Sequence, residues 1–379
     1  MATKGSHYSK TCPSRLIHTL VTPFGGATST LRPIGWWPCG AKFMKNILFL
    51  FTCIAGQFSH SQTTSTNDYL KQVLPGDIPK IFAPGVISNG FANRDFTISP
   101  SGDEIFFTVQ QSNLVSVVMN ATKRNGIWSD PMVASFSGIY NDLEATFTTD
   151  GMRLFFSSNR PLNPGDSTID YNIWYTEKKI GSWTQPVALD SMVNSVRDEF
   201  YPSITKSGNL YFTTQIETGK GKEDIVVCEL KNGHYLPPVS LSESINSKSY
   251  EFNAFVDPDE QFILFSSFGR NDDMGHGDLY LSVKKDNVWQ PAVNLANFNS
   301  SALDYCPFVT WDRKYLFFTS SRASYKSPFN KRQSIEDLKK GLSNPGNGLD
   351  DIYWVRFDNV LIDSKNESRD LIFCPVKLH

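Results

Sequence analysis

Five carboxylates recur along this 379-residue chain, each seven to nine residues ahead of a turn: Asp95, Glu144, Glu199, Glu251 and Asp304. Acids supplied once per repeated unit and gathered round one axis offer three chemistries. They can hold calcium or another divalent cation through oxygen ligands, bind a cationic ligand, or supply the acid and base of glycoside cleavage. The plainer role is structural. A carboxylate that opens a strand accepts hydrogen bonds from a neighbouring unit's backbone, and duplication preserves it. A second set of charges keeps step with the first: Arg160, Arg270 and Arg322 close one strand, while Asp224, Asp278 and Asp351 open the next. An arginine and an acid at the same edge of adjacent strands are expected to form a charge-assisted pair that holds the loop.

These residues ride on a phrase that occurs five times. The copies are ISPSGDEIFFTV from Ile98, FTTDGMRLFFSS from Phe147, ITKSGNLYFTT from Ile204, VDPDEQFILFSS from Val256 and VTWDRKYLFFTSS from Val309. Their aligned apolar residues, Phe107, Phe156, Phe212, Phe265 and Phe318, lie 49, 56, 53 and 53 residues apart, a period that belongs to repeat architectures. Each copy joins two apolar strands through a turn of Gly, Asp, Pro or Ser, which predicts a hairpin. A third strand opens at Asn172, Asp224, Asp278 or Asp351, and a fourth carries Trp128, Trp183, Tyr235 or Trp289 shortly before a proline. The Trp residues suit outer-strand packing better than sugar stacking.

Four short antiparallel strands repeated every fifty-odd residues describe a propeller blade. The expected fold is all-β, a single β-propeller of five four-stranded blades, with six as the alternative. Closure needs a strand from one terminus to cover the sheet edge. Pro79 to Ala83 resembles the fourth-strand phrase at Pro186 and is favoured for that place over Val360 to Ile362.

Composition agrees: aromatic residues are 13% of the chain, 28 of them Phe, and suit sheets stacked face to face. A net charge of -2 argues against a nucleic-acid partner. The N-terminal region reads differently. Met44-Lys45-Asn46 precedes an apolar run from Ile47 to Gly56 and small residues near Ser59, the pattern of a secretory signal peptide and too short to span a bilayer. The expected organisation is an upstream extension at 1–43, a signal peptide at 44–62, a linker at 63–78 and the propeller at 79–379. Lipid attachment at Cys53 is an alternative, although Leu50-Phe51-Thr52 lacks the small residues such a signal prefers. Cys228, Cys306 and Cys374 have neither disulfide nor zinc spacing and read as packed strand residues. A reactive thiol at Cys306 is the exception held open.

The phrase Ser-Pro-Ser-Gly-Asp-Glu-Ile-Phe-Phe, the Ser157-Ser158-Asn159-Arg160 ending and the Asp-Ile-Tyr opening resemble the TolB-like β-propeller repeat, a cousin of the WD repeat, over residues 79 to 363. The resemblance implies export to the periplasm or cell surface of a Gram-negative bacterium. It departs from TolB itself, which resembles a six-bladed ring preceded by an α/β domain, so a role in the Tol system does not carry over. Nor does the chain contain the Gly-x-Ser-x-Gly elbow of propeller-bearing peptidases.

The largest irregular insertion, Ala323 to Leu349, places Ser334 and Asp337 as a capping box for a short helix. Its lysines make it basic, and Tyr325 and Phe329 offer apolar contact for a lid or a docking partner. Two functions follow from these residues. The first is a monomeric, non-enzymatic binding module that docks an envelope protein or glycan through its loop face without a cofactor. The alternative is a glycoside hydrolase or lyase drawing on the five channel carboxylates.

Overall fold

The computed structural model describes residues 69–360 except Asn113, Pro164, Asp166 and Thr168, so the segments at 1–43 and 44–62, Cys53 and Cys374 lie outside the described residues. The chain forms five four-stranded antiparallel blades, and the alternative of six falls away. Their inner strands are Ala92–Ile98, Asp142–Phe147, Phe200–Ile204, Tyr250–Val256 and Asp304–Val309. Each inner strand packs beside the next, and the fifth lies beside the first, so the sheets close round an axis.

Period-2 patterning has little scope here, because the middle strands are covered on both faces. The second strands, such as Arg153–Ser158 and Tyr315–Ser320, are buried almost throughout. Phe107, Phe156, Phe212, Phe265 and Phe318, which mark the repeat, are each at most 1% exposed. Between blades the contact is again aromatic. Trp183 packs against Phe106 of blade one and Phe147 of blade two, and its Nε1 donates to Glu104 at 2.9 Å. The fourth strand is broken in two by its proline. The Trp segment pairs with the end of the third strand, and a second pair of residues, such as Val187–Ala188, pairs further back.

The N-terminal strand closes the ring. Lys80–Ile81 pairs antiparallel with Asp351–Arg356, and the Phe82 amide donates to the Ile352 carbonyl at 2.8 Å. Phe82 is fully buried at the seam, edge-on to Phe96 of blade one and to Phe317 and Trp354 of blade five, with ring centroids 5.0–5.1 Å apart. The expected linker also enters the core, since Tyr69 is buried against Tyr315, Phe317 and Trp354. An apolar ring next to an open hydrophobic end gains more from burial than from solvent.

Because Phe82 joins two blades that share no hairpin, Phe82→Ala is expected to cost about 3–5 kcal/mol in urea unfolding. A loss comparable to that of an exposed substitution would show that the seam is held elsewhere.

Candidate functional site

Every inner strand carries a β-bulge at the same place, and the bulged residue has a left-handed backbone: Asp95 (φ 60°), Glu144 (63°), Tyr201 (53°), Asn253 (49°) and Cys306 (52°). A bulge re-aims one side chain out of the pleat. Here it brings groups from all five blades together at the centre. Arg94 donates from Nε to Asp95 at 2.7 Å and from Nη2 to Glu144 at 2.6 Å, and reaches Cys306 Sγ at 3.4 Å. Asn253 donates to the same Glu144 oxygen at 3.1 Å, while the Tyr201 amide donates to the other at 2.8 Å. The Tyr305 ring covers the guanidinium at 4.9 Å.

Burial raises the Glu144 carboxyl above the ordinary carboxylate range, with Arg94 opposing and Asp95 reinforcing the shift. Burial likewise pushes the Cys306 thiol well up, which disfavours the thiolate a reactive cysteine needs. Asp95, Glu144 and Cys306 offer three ligand atoms within 4.8 Å of one another. The position a divalent cation would take is held by a guanidinium, and a thiol is a poor partner for calcium.

The five expected acids therefore do not form one ring. Asp95 and Glu144 belong to the bulges. Glu199, Glu251 and Asp304 stand two residues before their bulges, at the mouth of each blade, in the place that Asn93 and Asp142 take in blades one and two. Sequence alone does not separate Asp142 from Glu144, which lies two residues on in the same strand.

The arginines pair with these mouth acids instead of the third-strand acids expected. Arg160 donates to Asp142 at 2.5 Å, Arg270 to Glu251 at 3.0 Å and Arg322 to Asp304 at 2.6 Å. The inner strand starts opposite the end of the second strand, so the arginine that follows that end lands on the acid across the ladder. The third-strand acids are held by other groups. Asp224 accepts from the Lys220 and Gly221 amides and Ser240, Asp278 from the Met274 amide and Asn294, and Asp351 from the Gly346 amide.

A motif missed in the sequence supports the mouths. In Asn-Ser-x-x-x-acid, at Asn194-Ser195, Asn246-Ser247 and Asn299-Ser300, the serine donates to the acid four residues on. The asparagine grips the third strand of the preceding blade at Ile173, Ile225 or Leu279. The shared spacing of Asn, Ser and acid was the available signal.

Blade three differs from its neighbours. Its second strand, Leu210–Thr214, is followed by Gln215 and Ile216, and among the described residues no arginine bonds to Glu199. Glu199 Oε1 accepts from the Ser195 amide at 3.1 Å and hydroxyl at 2.6 Å. Oε2 is buried without a partner. Burial pushes this carboxyl up to about 8, and Asp170 and Asp198 add to the shift. Two cavities, of 350 and 180 Å³, adjoin Gln215 and share Arg197 in their walls. Lys222 and Tyr250 line the larger, and Phe200 and Thr214 the smaller.

Tyr325 and Phe329 are not brought to the acids. They pack on each other at 5.1 Å within the insertion, where the helix Ile335–Leu342 has the expected Ser334–Asp337 capping box and buries none of its residues. Tyr325 lies against Gly341, where any side chain would meet its ring at 2.2 Å.

The site and the sheets together define a five-bladed β-propeller. No protein-family profile matches the chain and no curated protein matches it in sequence, so membership of the TolB-like repeat family is not established. Among solved structures, the chain is similar to TolB from Acinetobacter baumannii, with 11% identity, TM-score 0.41, and coverage of 71% of this chain and 55% of that one. A protein from Agrobacterium tumefaciens assigned as TolB aligns at 12% identity and TM-score 0.41 over 70% of this chain and 91% of its own. An α-L-arabinofuranosidase from Lactobacillus brevis aligns at 11% identity and TM-score 0.39 over 70% and 90%.

Removing the arginine of one mouth leaves a buried acid uncompensated, so Arg322→Met is expected to cost about 3–5 kcal/mol in urea unfolding. Adding Asp304→Asn to it should recover part of that loss, and a double variant no better than the single would refute the pairing. Glu199 gives a pH signature. Its folded carboxyl titrates above its unfolded value, so its contribution to stability is complete below the ordinary carboxylate range and is lost as pH rises through about 8. The melting temperature of Glu199→Gln is therefore expected to gain on that of the wild type between pH 5 and pH 9 on the order of several degrees. A difference that does not vary with pH would contradict this.

Proposed function

We propose that this chain is an exported binding module of the bacterial envelope, periplasmic or at the cell surface, that docks a protein or glycan through its loop face. The observation that carries this reading is the cleft at blade three. There the surface opens beside charged side chains not committed to holding the fold. The Arg197 guanidinium makes no hydrogen bond or ion pair among the described residues, and Lys222 rests on the Tyr250 ring at 4.9 Å. The mouth acids of blades two, four and five are instead engaged by arginines, and the carboxyl of Glu144 is enclosed at the centre. Acids bound in this way are poorly placed to exchange protons with a sugar. Among the described residues no helix is long and apolar enough to cross a membrane.

The insertion, with Ile335, Leu342 and Phe329 exposed, supplies a second contact area for the same docking. A glycosidase reading draws on Glu199, whose raised carboxyl would suit a general acid, but the second carboxyl such chemistry needs is missing where the other mouth acids are engaged by arginines.

Purified full-length protein is expected to retain one envelope polysaccharide or protein from fractionated envelope extract, to release no sugar from a polysaccharide panel, and to lose retention about tenfold in Arg197→Glu/Lys222→Glu. Unchanged retention in that variant would remove the cleft from the reading. Sugar release abolished by Glu199→Gln would replace the reading with the hydrolase.

A further inference from the structure

Four blades open on a buried mouth acid, and three of them carry the arginine that neutralises it. Those three show how the fold seats a guanidinium. In each, Nε donates to the last serine of the second strand: Ser158 at 2.9 Å, Ser267 at 3.0 Å and Ser320 at 2.8 Å. Nη2 donates to the mouth acid and to a carbonyl six residues before it, that of Phe136, Ile245 or Phe298. The cation lies over the repeat-marking phenylalanine at 5.1–5.3 Å. An aromatic residue of the third strand, Trp174, Tyr280 or Tyr353, lies 4.7–5.3 Å from it.

Blade three keeps the acceptors and lacks the donor. Glu199 stands at the acid position with Oε2 unpartnered, although the residue is only 1% exposed. Val193 is six residues earlier, and no hydrogen bond among the described residues reaches its carbonyl. Thr214 replaces the serine, one register step beyond the Phe200–Thr213 pair, and Phe212 is the buried ring beneath. Val226 stands where the other blades place the third-strand aromatic residue, which leaves that wall smaller. Ile216 occupies the arginine's place in the chain and packs on the blade core. Blade one needs no such cation, because its mouth residue is the neutral Asn93.

We propose that the mouth of blade three receives a guanidinium supplied from outside, an arginine side chain of a protein partner seated against Glu199, Thr214 and the Val193 carbonyl over Phe212. This deepens the loop-face reading and rests on it for the partner. Planar bidentate donors fit the carboxylate-plus-carbonyl arrangement better than an ammonium. Asp170 and Asp198 lie near enough to act on Glu199, and Asp198 and Glu223 stand with Arg197 in the wall of the smaller cavity. Of the groups named, Thr214 lines the 180 Å³ cavity, together with Asp198 and Phe200 on either side of Glu199 in sequence.

The test is a carboxyl-detected NMR titration of the full chain labelled at glutamate. Its ligands are methylguanidinium chloride, the tripeptide acetyl-Gly-Arg-Gly-amide and the matching lysine peptide. Saturable movement of the Glu199 signal toward the ionised form at neutral pH is expected with the first two and little with the third. Glu199→Gln should weaken arginine-peptide binding, read from amide shifts, about tenfold. Ile216→Arg should fill the slot from within, ionise Glu199 and abolish binding; should that variant not fold, the other titrations decide.

No saturable movement in the wild type, or equal binding by Glu199→Gln, would overturn the proposal. Binding of methylguanidinium without the arginine peptide would overturn the polypeptide source in favour of a small guanidinium compound. A chain that binds the arginine peptide but retains no envelope component would sink the loop-face reading and leave the slot standing. A chain that retains its partner without binding a guanidinium would sink the slot alone.

Discussion

The inner strand of each blade enters the ring through a buried mouth, yet four of the five carry an acid within one residue of their start. Burying an ionised carboxylate without compensation is expensive, and removing one partner of a buried pair costs about 3–5 kcal/mol. The fold meets this demand in three blades, and in two of them twice. An arginine from the end of the second strand covers the acid. In two of these blades a serine four residues before the acid also donates to it. The acids thus fix where the second strand ends, how its loop turns, and how the connection from the preceding blade docks. Blade geometry at the loop face follows from charge as much as from aromatic packing.

One step deeper, the constraint changes character. The bulged residues hold left-handed backbone without glycine, a conformation that Asn and Asp tolerate and that tyrosine, glutamate and cysteine accept only when their surroundings insist. All five blades insist alike, since each bulge sits between the same two ladder pairs. Arg94 gathers the result: it is the cation to which Asp95 and Glu144 are both tied, and Tyr305 seals it. Burial raises the Glu144 carboxyl and Asp95 adds to the shift, since the one guanidinium is shared between the two carboxylates.

Periodicity made the architecture readable, because a propeller writes its period into the chain and the marker residues Phe107 to Phe318 all proved to be buried at matching depth. Closure was readable for the same reason, as Pro79 to Ala83 repeats a fourth-strand phrase and Lys80–Ile81 fills that role. The site was legible only to the level of residue type. Asp142 and Glu144 lie two residues apart on one strand, and a one-dimensional alignment had no means of saying which matched Asp95 and which matched Asp304. The bulge that separates them is a backbone event without a composition of its own, carried by Asp, Glu, Tyr, Asn and Cys in turn. The arginine partners were misassigned for a related reason. Arg160 and Asn172 flank one loop in sequence, whereas Arg160 and Asp142 meet only through the pairing of the first two strands.

A repeat protein offers its own control, since each unit shows what the same backbone does with a different residue. Blade one loses the acid and the arginine together, and the mouth stays neutral with Asn93. Blades two, four and five keep both. Blade three keeps the acid with Ser195 and Asn194, has Thr214 and Val226 in place of the second-strand serine and the third-strand aromatic residue, and has no arginine at the loop position, which leaves a buried acceptor, Glu199 Oε2, without a partner. Substituting Asn or Gln at that one position would relieve it at little steric cost, as blade one demonstrates. Glu199 beside Ile216, in a blade where two cavities open, is the arrangement expected of an acceptor whose donor no described residue supplies.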